Sequence, residues 1–248
     1  MTNRNVYLNG TYELAVSKGF DILQLKYDGW WCRAVMADGQ ATYYSETGRE
    51  FGQSDSFKLD GCVLIGEFMR GTQWSQHPER KGIFYVYDIT QIYNEPITTE
   101  SYQARYKLLR KLPLPTVFRL VDCFRIQDYE SVWSRYVLRE GYEGVVFRRA
   151  TSPITDAIMR CKREYTFDGK VVGFETGQGK YEGQLGAYRV MMQNGTTTMV
   201  GGGYTDEERK ANPVLNIGRV MEFTANAIFE SGNVRHPRFI RWRNDKTL

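Results

Sequence analysis

Lys26 lies in the run LQLKYDG, between Leu25 and Tyr27, and is followed by the pair Asp28–Gly29. An amine in apolar surroundings is a candidate nucleophile. It attacks only after losing a proton, and its ordinary pKa of ~10.4 falls on burial or beside other cations. On a strand, Lys26 shares a face with Gln24 and Asp28, while Leu23, Leu25 and Tyr27 take the other. Cations that could act on it stand downstream: Arg160 and Lys162 in MRCK are two residues apart, so on a strand they point the same way. Their field is expected to depress the pKa of Lys26. The same seven residues would equally suit a solvated strand edge on which Lys26 does no chemistry.

The elements that must carry these groups are mostly strands. FDILQLKY, CRAVMAD, ATYYSET, GCVLIGEF and KGIFYVYDI are rich in aromatic and branched residues and punctuated by Gly or Asp. Two helices follow. One is expected from Thr98–Thr99 to just before Pro113, with Tyr102, Tyr106, Leu109 and Leu112 in one stripe. The other opens at Asp128 as N-cap, gathers Val132, Trp133, Tyr136 and Val137, and stops at Gly141. EGVVFRR returns to strand. From about residue 166, DGKVVGF, GAYRVMMQ, TTTMVGGG, GRVMEFTANAIFE and FIRWR are short strands at turn-punctuated spacing, the pattern of a small OB-type barrel. The reading is an α+β protein with domains 1–165 and 166–248.

Bulk composition narrows the class. At 248 residues, with 42% apolar and 25% charged residues, the chain can bury a sizeable core without disulfides or metals. A net charge of +4 is compatible with nucleic acid without demanding it. Cys32, Cys62, Cys123 and Cys161 stand singly, so neither a zinc site nor a disulfide framework is indicated. No apolar run approaches a membrane span and the N-terminus lacks a signal-peptide layout, so a reducing cytoplasm is expected, bacterial or of a phage-infected host.

Six segments, KYDG, LIGEF, YVYDI, EGVVFR, MRCK and RHPRFIRWRNDK, occur in the order of the motif set of ATP-dependent DNA ligases, which the chain resembles from Lys26 to Lys246. The resemblance implies a nucleotidyltransferase domain of antiparallel sheets with flanking helices, followed by an OB-fold domain. It implies ATP and Mg²⁺ as cofactors, nicked duplex DNA as partner, a lysyl-AMP and a DNA-adenylate as intermediates, a monomer, and no membrane. Lys26 matches the nucleophile, beside Asp28. Arg160 and Lys162 match the paired phosphate-holding cations. Glu143 matches the metal-binding carboxylate, Glu67 the ribose-binding residue that is also a metal candidate, and Tyr87 the aromatic that stacks on the base. Arg243 and Lys246 match the last motif, which orients the pyrophosphate leaving group. With 25 residues before Lys26, a minimal two-domain form is expected.

Three positions depart from the family pattern. Gln24 stands where a glutamate often accepts from the adenine amino group; its oxygen can still accept, but its amide could equally meet a guanine carbonyl. Trp31 stands where the first motif usually ends in arginine, and Arg33, two residues on and roughly 7 Å away on the same strand face, is the expected substitute. Glu46 in SETG replaces an arginine that contacts DNA, with Arg49 nearby. A capping guanylyltransferase, an RNA ligase and a non-catalytic OB-fold binder remain alternatives, with EGVV and VRHPRF favouring the DNA ligase.

Overall fold

The computed structural model describes residues 7–55, 58–71 and 78–247. The chain divides into two compact units, Met1–Lys162 and Arg163–Leu248.

The first unit is built on two sheets. One has the order Tyr7–Asn9, Ile158–Lys162, Gly144–Arg148, Ile22–Lys26, Cys123–Arg125. Its first pair is parallel and the rest antiparallel. Leu23, Leu25, Val145, Phe147 and Met159 alternate onto its inner face and pack with Phe20, Ile126, Val132 and Val137. The opposite face carries Lys26 and Gln24. The strand Ile22–Lys26 lies inside this sheet, with a neighbour on each side, and Gln24 is 2% exposed. The solvated-edge alternative is therefore excluded.

The second sheet runs Glu50–Asp55, Gln40–Tyr44, Trp30–Ala37, Val63–Phe68, Phe84–Ile92, Glu95–Pro96, with Phe118–Leu120 added parallel to Phe84–Ile92. Cys32, Ala34, Met36, Tyr43, Leu64 and Phe84 form its core with Leu109 from a helix. That helix spans Tyr102–Leu109 and starts later than its sequence pattern suggests, because the Ser101 hydroxyl accepts from the Ala104 N–H at 3.2 Å and so caps it there. The second predicted helix is a composite of a 3-10 turn Ile126–Asp128, an α-turn Tyr129–Val132 and a π-helix Trp133–Arg139. Asp128 does not cap it forwards. Its carboxylate instead accepts from the Arg125 N–H at 3.3 Å. The wide π-turn fits the five-residue spacing of the two buried valines, Val132 and Val137.

The first unit also buries charge. Arg105, on the helix, donates from Nε and Nη2 to the two Asp88 carboxylate oxygens at 2.8 and 2.9 Å, and Arg148 Nη1 donates to Asp88 at 3.3 Å. All three side chains are buried. A bidentate pair of this kind ties the helix to the strand that carries Tyr87.

The second unit is a five-stranded antiparallel sheet, Thr197–Val200, Leu185–Met192, Tyr165–Thr176, Val220–Ala225, Arg238–Trp242. It curls until its edges meet: Gly202 and Arg238 form a parallel bridge, and Phe239 N–H donates to Gly202 C=O at 2.9 Å. Val171, Val190, Val200, Met221, Phe223 and Phe239 fill the interior. A capping box between Thr205 and Glu208 starts the helix Asp206–Lys210 after the third strand in sequence from Tyr165. The five sheet strands are those read from the sequence. The segment GRVMEFTANAIFE divides at Asn226 into Val220–Ala225 and Ala227–Ile228, the latter pairing with Val234–Arg235.

Removing one partner of a buried charge pair is costly. Arg105→Leu is expected to lower the unfolding free energy by about 3 kcal/mol, measured by chemical denaturation, even though Arg148 still touches Asp88.

Candidate active site

Three adjacent strands assemble the charged centre. In the sheet register, Lys26 lies opposite Gly144, and Gly144 lies opposite Lys162. The two lysines thus flank Gly144, and Glu143, one residue earlier, reaches both: its Oε2 pairs with Lys26 and its Oε1 with Lys162. Gly144 has to be glycine, because a Cβ there would sit 2.1 Å from the Cys161 carbonyl oxygen. Gly29 of KYDG has a similar reason. Its N–H donates to Glu67 Oε1 at 3.2 Å, and a Cβ would lie 2.8 Å from both the Glu67 Cγ and the Phe68 carbonyl.

The protonation states follow from this crowding. Burial works to lower the pKa of Lys26, but the carboxylates of Glu143, Glu67 and Asp28 outweigh it, and the ammonium is held above its usual range. This corrects the expectation that Arg160 and Lys162 depress it. Lys162 is already engaged by Glu143, and Arg160 donates to Asn9 Oδ1 at 2.7 Å and lies 5.3 Å from the Tyr7 ring centre. Glu143 is itself partly buried, yet its two lysines hold it below the ordinary carboxylate range. Glu67 goes the other way: burial pushes it up to about 7, against the pull of Lys26.

Beside this cluster lies a cavity. Gln24, Lys26, Glu67, Tyr87 and Arg160 line it, as do Val146 and Ile158, which give it apolar walls. It therefore combines an aromatic ring and flat apolar surface with cations and carboxylates at its margins, a lining suited to a nucleobase joined to phosphate. Asp28 is exposed at the end of the Lys26 strand. Arg33 does not line the cavity; its guanidinium lies 5.3 Å from the ring centre of Tyr44 on the neighbouring strand. Trp31 occupies the cavity wall instead, together with Glu46. In the second unit, Arg243 is held by its own neighbours: it donates to Asp245 at 2.7 and 2.8 Å, to Glu222 at 3.0 Å and to Asp168 at 3.2 Å, while Lys246 pairs with Asp168.

Arg148 and Tyr7 are among the lining residues not identified from sequence. Arg148 was legible, since the two-residue strand period carries the face of Gly144 through Val146 to Arg148. Tyr7 was not, because its three-residue strand finds its partner 151 residues away, at Ile158.

Among the described residues no group of three or more His, Cys, Asp or Glu is placed to hold a metal ion. A hard divalent cation nevertheless suits the donors present, since Mg²⁺ needs only one or two carboxylates when substrate phosphates supply the rest. Glu143 is ionised and both its oxygens are held by ammonium groups, so such a cation would displace one of them.

Two measurements check these assignments. A carboxyl whose pKa is raised on folding keeps its proton in the native state after the unfolded chain has lost it. Glu67 therefore makes stability fall as pH rises from about 4.5 to about 7. Glu67→Gln should flatten that decline in denaturation curves taken across the interval. Arg33→Ala should leave nucleotide binding within about twofold of wild type by titration, because its guanidinium lies against Tyr44 and not on the cavity wall.

The family model of the DNA ligase OB-like domain matches residues 176–243. No curated protein matches the sequence. Several solved structures share the fold. One comes from a structure–function study of Lig E DNA ligases that describes DNA binding with a minimal scaffold. It has a TM-score of 0.76 and 18% identity, covering 97% of this chain and 99% of that one. Another, Pmar-Lig_Pre, has a TM-score of 0.73 and 18% identity, covering 97% of this chain and 67% of that one. The ligase domain of LigD from M. tuberculosis has a TM-score of 0.51 and 17% identity, covering 98% and 95%. The chain is thus similar to minimal ATP-dependent DNA ligases in motif order, in its OB-like segment and in fold.

Proposed function

We propose that this chain is an ATP-dependent DNA ligase that seals nicks in duplex DNA through a lysyl-AMP on Lys26. The observation that carries the reading is the Lys26–Glu143–Lys162 cluster at the end of a cavity with an aromatic and apolar lining. A structural ion cluster has no need of such a cavity beside it, and a nucleic-acid binder has no need of a half-buried lysine there.

In the proposed cycle the Tyr87 ring and the apolar wall hold adenine, with base stacking worth about 1–3 kcal/mol. Glu67 is placed for a ribose hydroxyl. Arg160 and Lys162 hold the α-phosphate in line with Lys26 Nζ, so that alignment and positive charge carry most of the catalysis. The Nζ ammonium gives up one proton to solvent before attack and a second as its bond to the α-phosphorus forms, and the bond from that phosphorus to the α,β-bridging oxygen breaks to release pyrophosphate. An oxygen of the nick 5′-phosphate then displaces the lysine, and Nζ takes up two protons to return to the ammonium. Finally the 3′-hydroxyl attacks that 5′-phosphate, losing its proton as AMP departs. A divalent cation near Glu143 would supply charge to the phosphoryl oxygens.

The resting ion pair has a consequence for this cycle. Lys26 is protonated as long as Glu143 faces it, so the first step requires Glu143 to be drawn off. Arg243 and Lys246, the proposed leaving-group cations, must likewise exchange Asp168 for phosphate.

The test is incubation of the pure protein with Mg²⁺ and α-labelled ATP, followed by addition of nicked duplex. Wild type should acquire an acid-labile adduct and seal the nick. Lys26→Ala should acquire none, and Lys162→Ala should label roughly 10²–10³-fold more slowly, the scale of losing one preorganised donor to developing charge. Equal labelling of wild type and Lys26→Ala would overturn the assignment.

A further inference from the structure

A second cavity, of about 620 Å³, is lined by the helix Tyr102–Leu109, the turn that follows it, and the strands that begin at Ile22 and Cys123. Its inner side is formed by Ile22, Tyr102, Tyr106 and Cys123, which are buried or half-buried. The Tyr106 hydroxyl donates to the Val121 carbonyl at 2.8 Å, which fixes the ring, and the Tyr102 ring centre lies 5.8 Å away. This wall also closes the cavity off from the first one. The Tyr102 hydroxyl and Cys123 Sγ meet Gln24 Nε2 at 2.7 and 3.3 Å, and Gln24 lines the first cavity from the other side.

The rim has the opposite character. Gln103, Lys107, Arg110 and Lys111 line the same cavity and are exposed. Among the described residues none of the three cations has a carboxylate partner, and Asp122, the acid next to Cys123, lies outside the lining. Cations are common at helix C-termini because the last carbonyls attract positive charge. Here the carbonyls of Tyr106, Leu108 and Leu109 already accept from the backbone N–H groups of Arg110, Lys111 and Leu112, at 3.0, 2.9 and 3.2 Å. Lys107 and Lys111 stand four residues apart, the spacing at which like charges on a helix repel. The cluster therefore costs stability in isolation, and an external anion would relieve it.

We infer that this cavity is a second ligand site, which takes a small molecule carrying two or more phosphates on a flat uncharged body, the class of nucleoside di- and triphosphates. The three cations meet the phosphates, Arg110 with a forked guanidinium that matches their oxygens. The Tyr106 ring and Ile22 take the body. The volume is that of a small-molecule site. A DNA duplex, being convex, would touch the rim and leave the wall unused. The site goes beyond the proposed reaction, in which none of its lining residues has a part.

The test is a lysine footprint on the intact protein: acetylation by an N-hydroxysuccinimide ester, read residue by residue by mass spectrometry, with exposed Lys210 as reference. ADP should protect Lys107 and Lys111 and leave Lys210 unchanged. Inorganic tripolyphosphate, which lacks the body, should need roughly tenfold more for the same protection, the scale of one ring contact. Unnicked duplex DNA at equal phosphate concentration should protect neither. Arg110→Gln should raise the ADP concentration for half-protection roughly tenfold, the scale of one hydrogen bond to a charged group. Lys107→Gln/Lys111→Gln should unfold at the same or a higher denaturant concentration than wild type. Absence of protection by ADP would overturn the inference. So would equal protection by duplex DNA, which would make the rim a backbone contact, or equal potency of tripolyphosphate, which would leave only an electrostatic patch. A lower unfolding midpoint in the double variant would do the same, by assigning the lysines to the helix end. None of these outcomes touches the labelling of Lys26, on which the proposed function stands or falls.

Discussion

The chemistry of the first unit turns on one carboxylate shared between two lysines. Glu143 holds Lys26 and Lys162 at once, and it can do so only because three antiparallel strands put both lysines level with Gly144. A buried carboxylate with two ammonium partners is ionised, and each ammonium is stabilised in return. The arrangement stores Lys26 in its unreactive form. Under the proposed function, the same carboxylate is the group that substrate and metal charge must compete for, so the resting ion pair acts as a guard on the nucleophile.

A second polar layer supports the first. Asp88, Arg105, Arg148, Gln24 and Tyr102 form a buried network behind the cavity, with donors and acceptors matched along its length. Buried groups of this kind stabilise only when satisfied, and satisfaction fixes their orientation. The strand bearing Tyr87, the strand bearing Gln24 and the helix Tyr102–Leu109 are thereby locked to one another. The aromatic ring of the cavity and the one amide that faces it are set by the same chain of contacts.

The second unit shows the same economy with its own charges. Arg243 is surrounded by Asp168, Glu222 and Asp245, and Lys246 shares Asp168. These cations come from the motif that resembles the nucleotide-facing segment of ligases, yet each has an internal partner. Of these partners only Asp245 is well exposed, whereas Arg243, Asp168 and Glu222 are largely shielded from solvent, so the network fixes the position of the Arg243 side chain.

The sequence by itself determined the elements and the roster. Alternation placed Leu23 and Leu25 opposite Gln24 and Lys26, turn residues bounded each strand, and the ordered segments singled out Lys26, Glu67, Tyr87, Glu143, Arg160 and Lys162. Local pattern failed where local chemistry has alternatives. Asp128 accepts from the Arg125 N–H behind it and does not cap the turn ahead, and Ser101 displaced Thr98–Thr99 as the helix start. Tertiary structure alone decided who touches whom across the sheet. It put Trp31 rather than Arg33 on the cavity wall, brought Tyr7 in from a distant strand, and set Glu143 between two lysines, reversing the sign of the expected pKa shift. The physical reason is that strand period is a property of one segment, whereas register, burial and electrostatic partners belong to pairs of segments far apart in the chain.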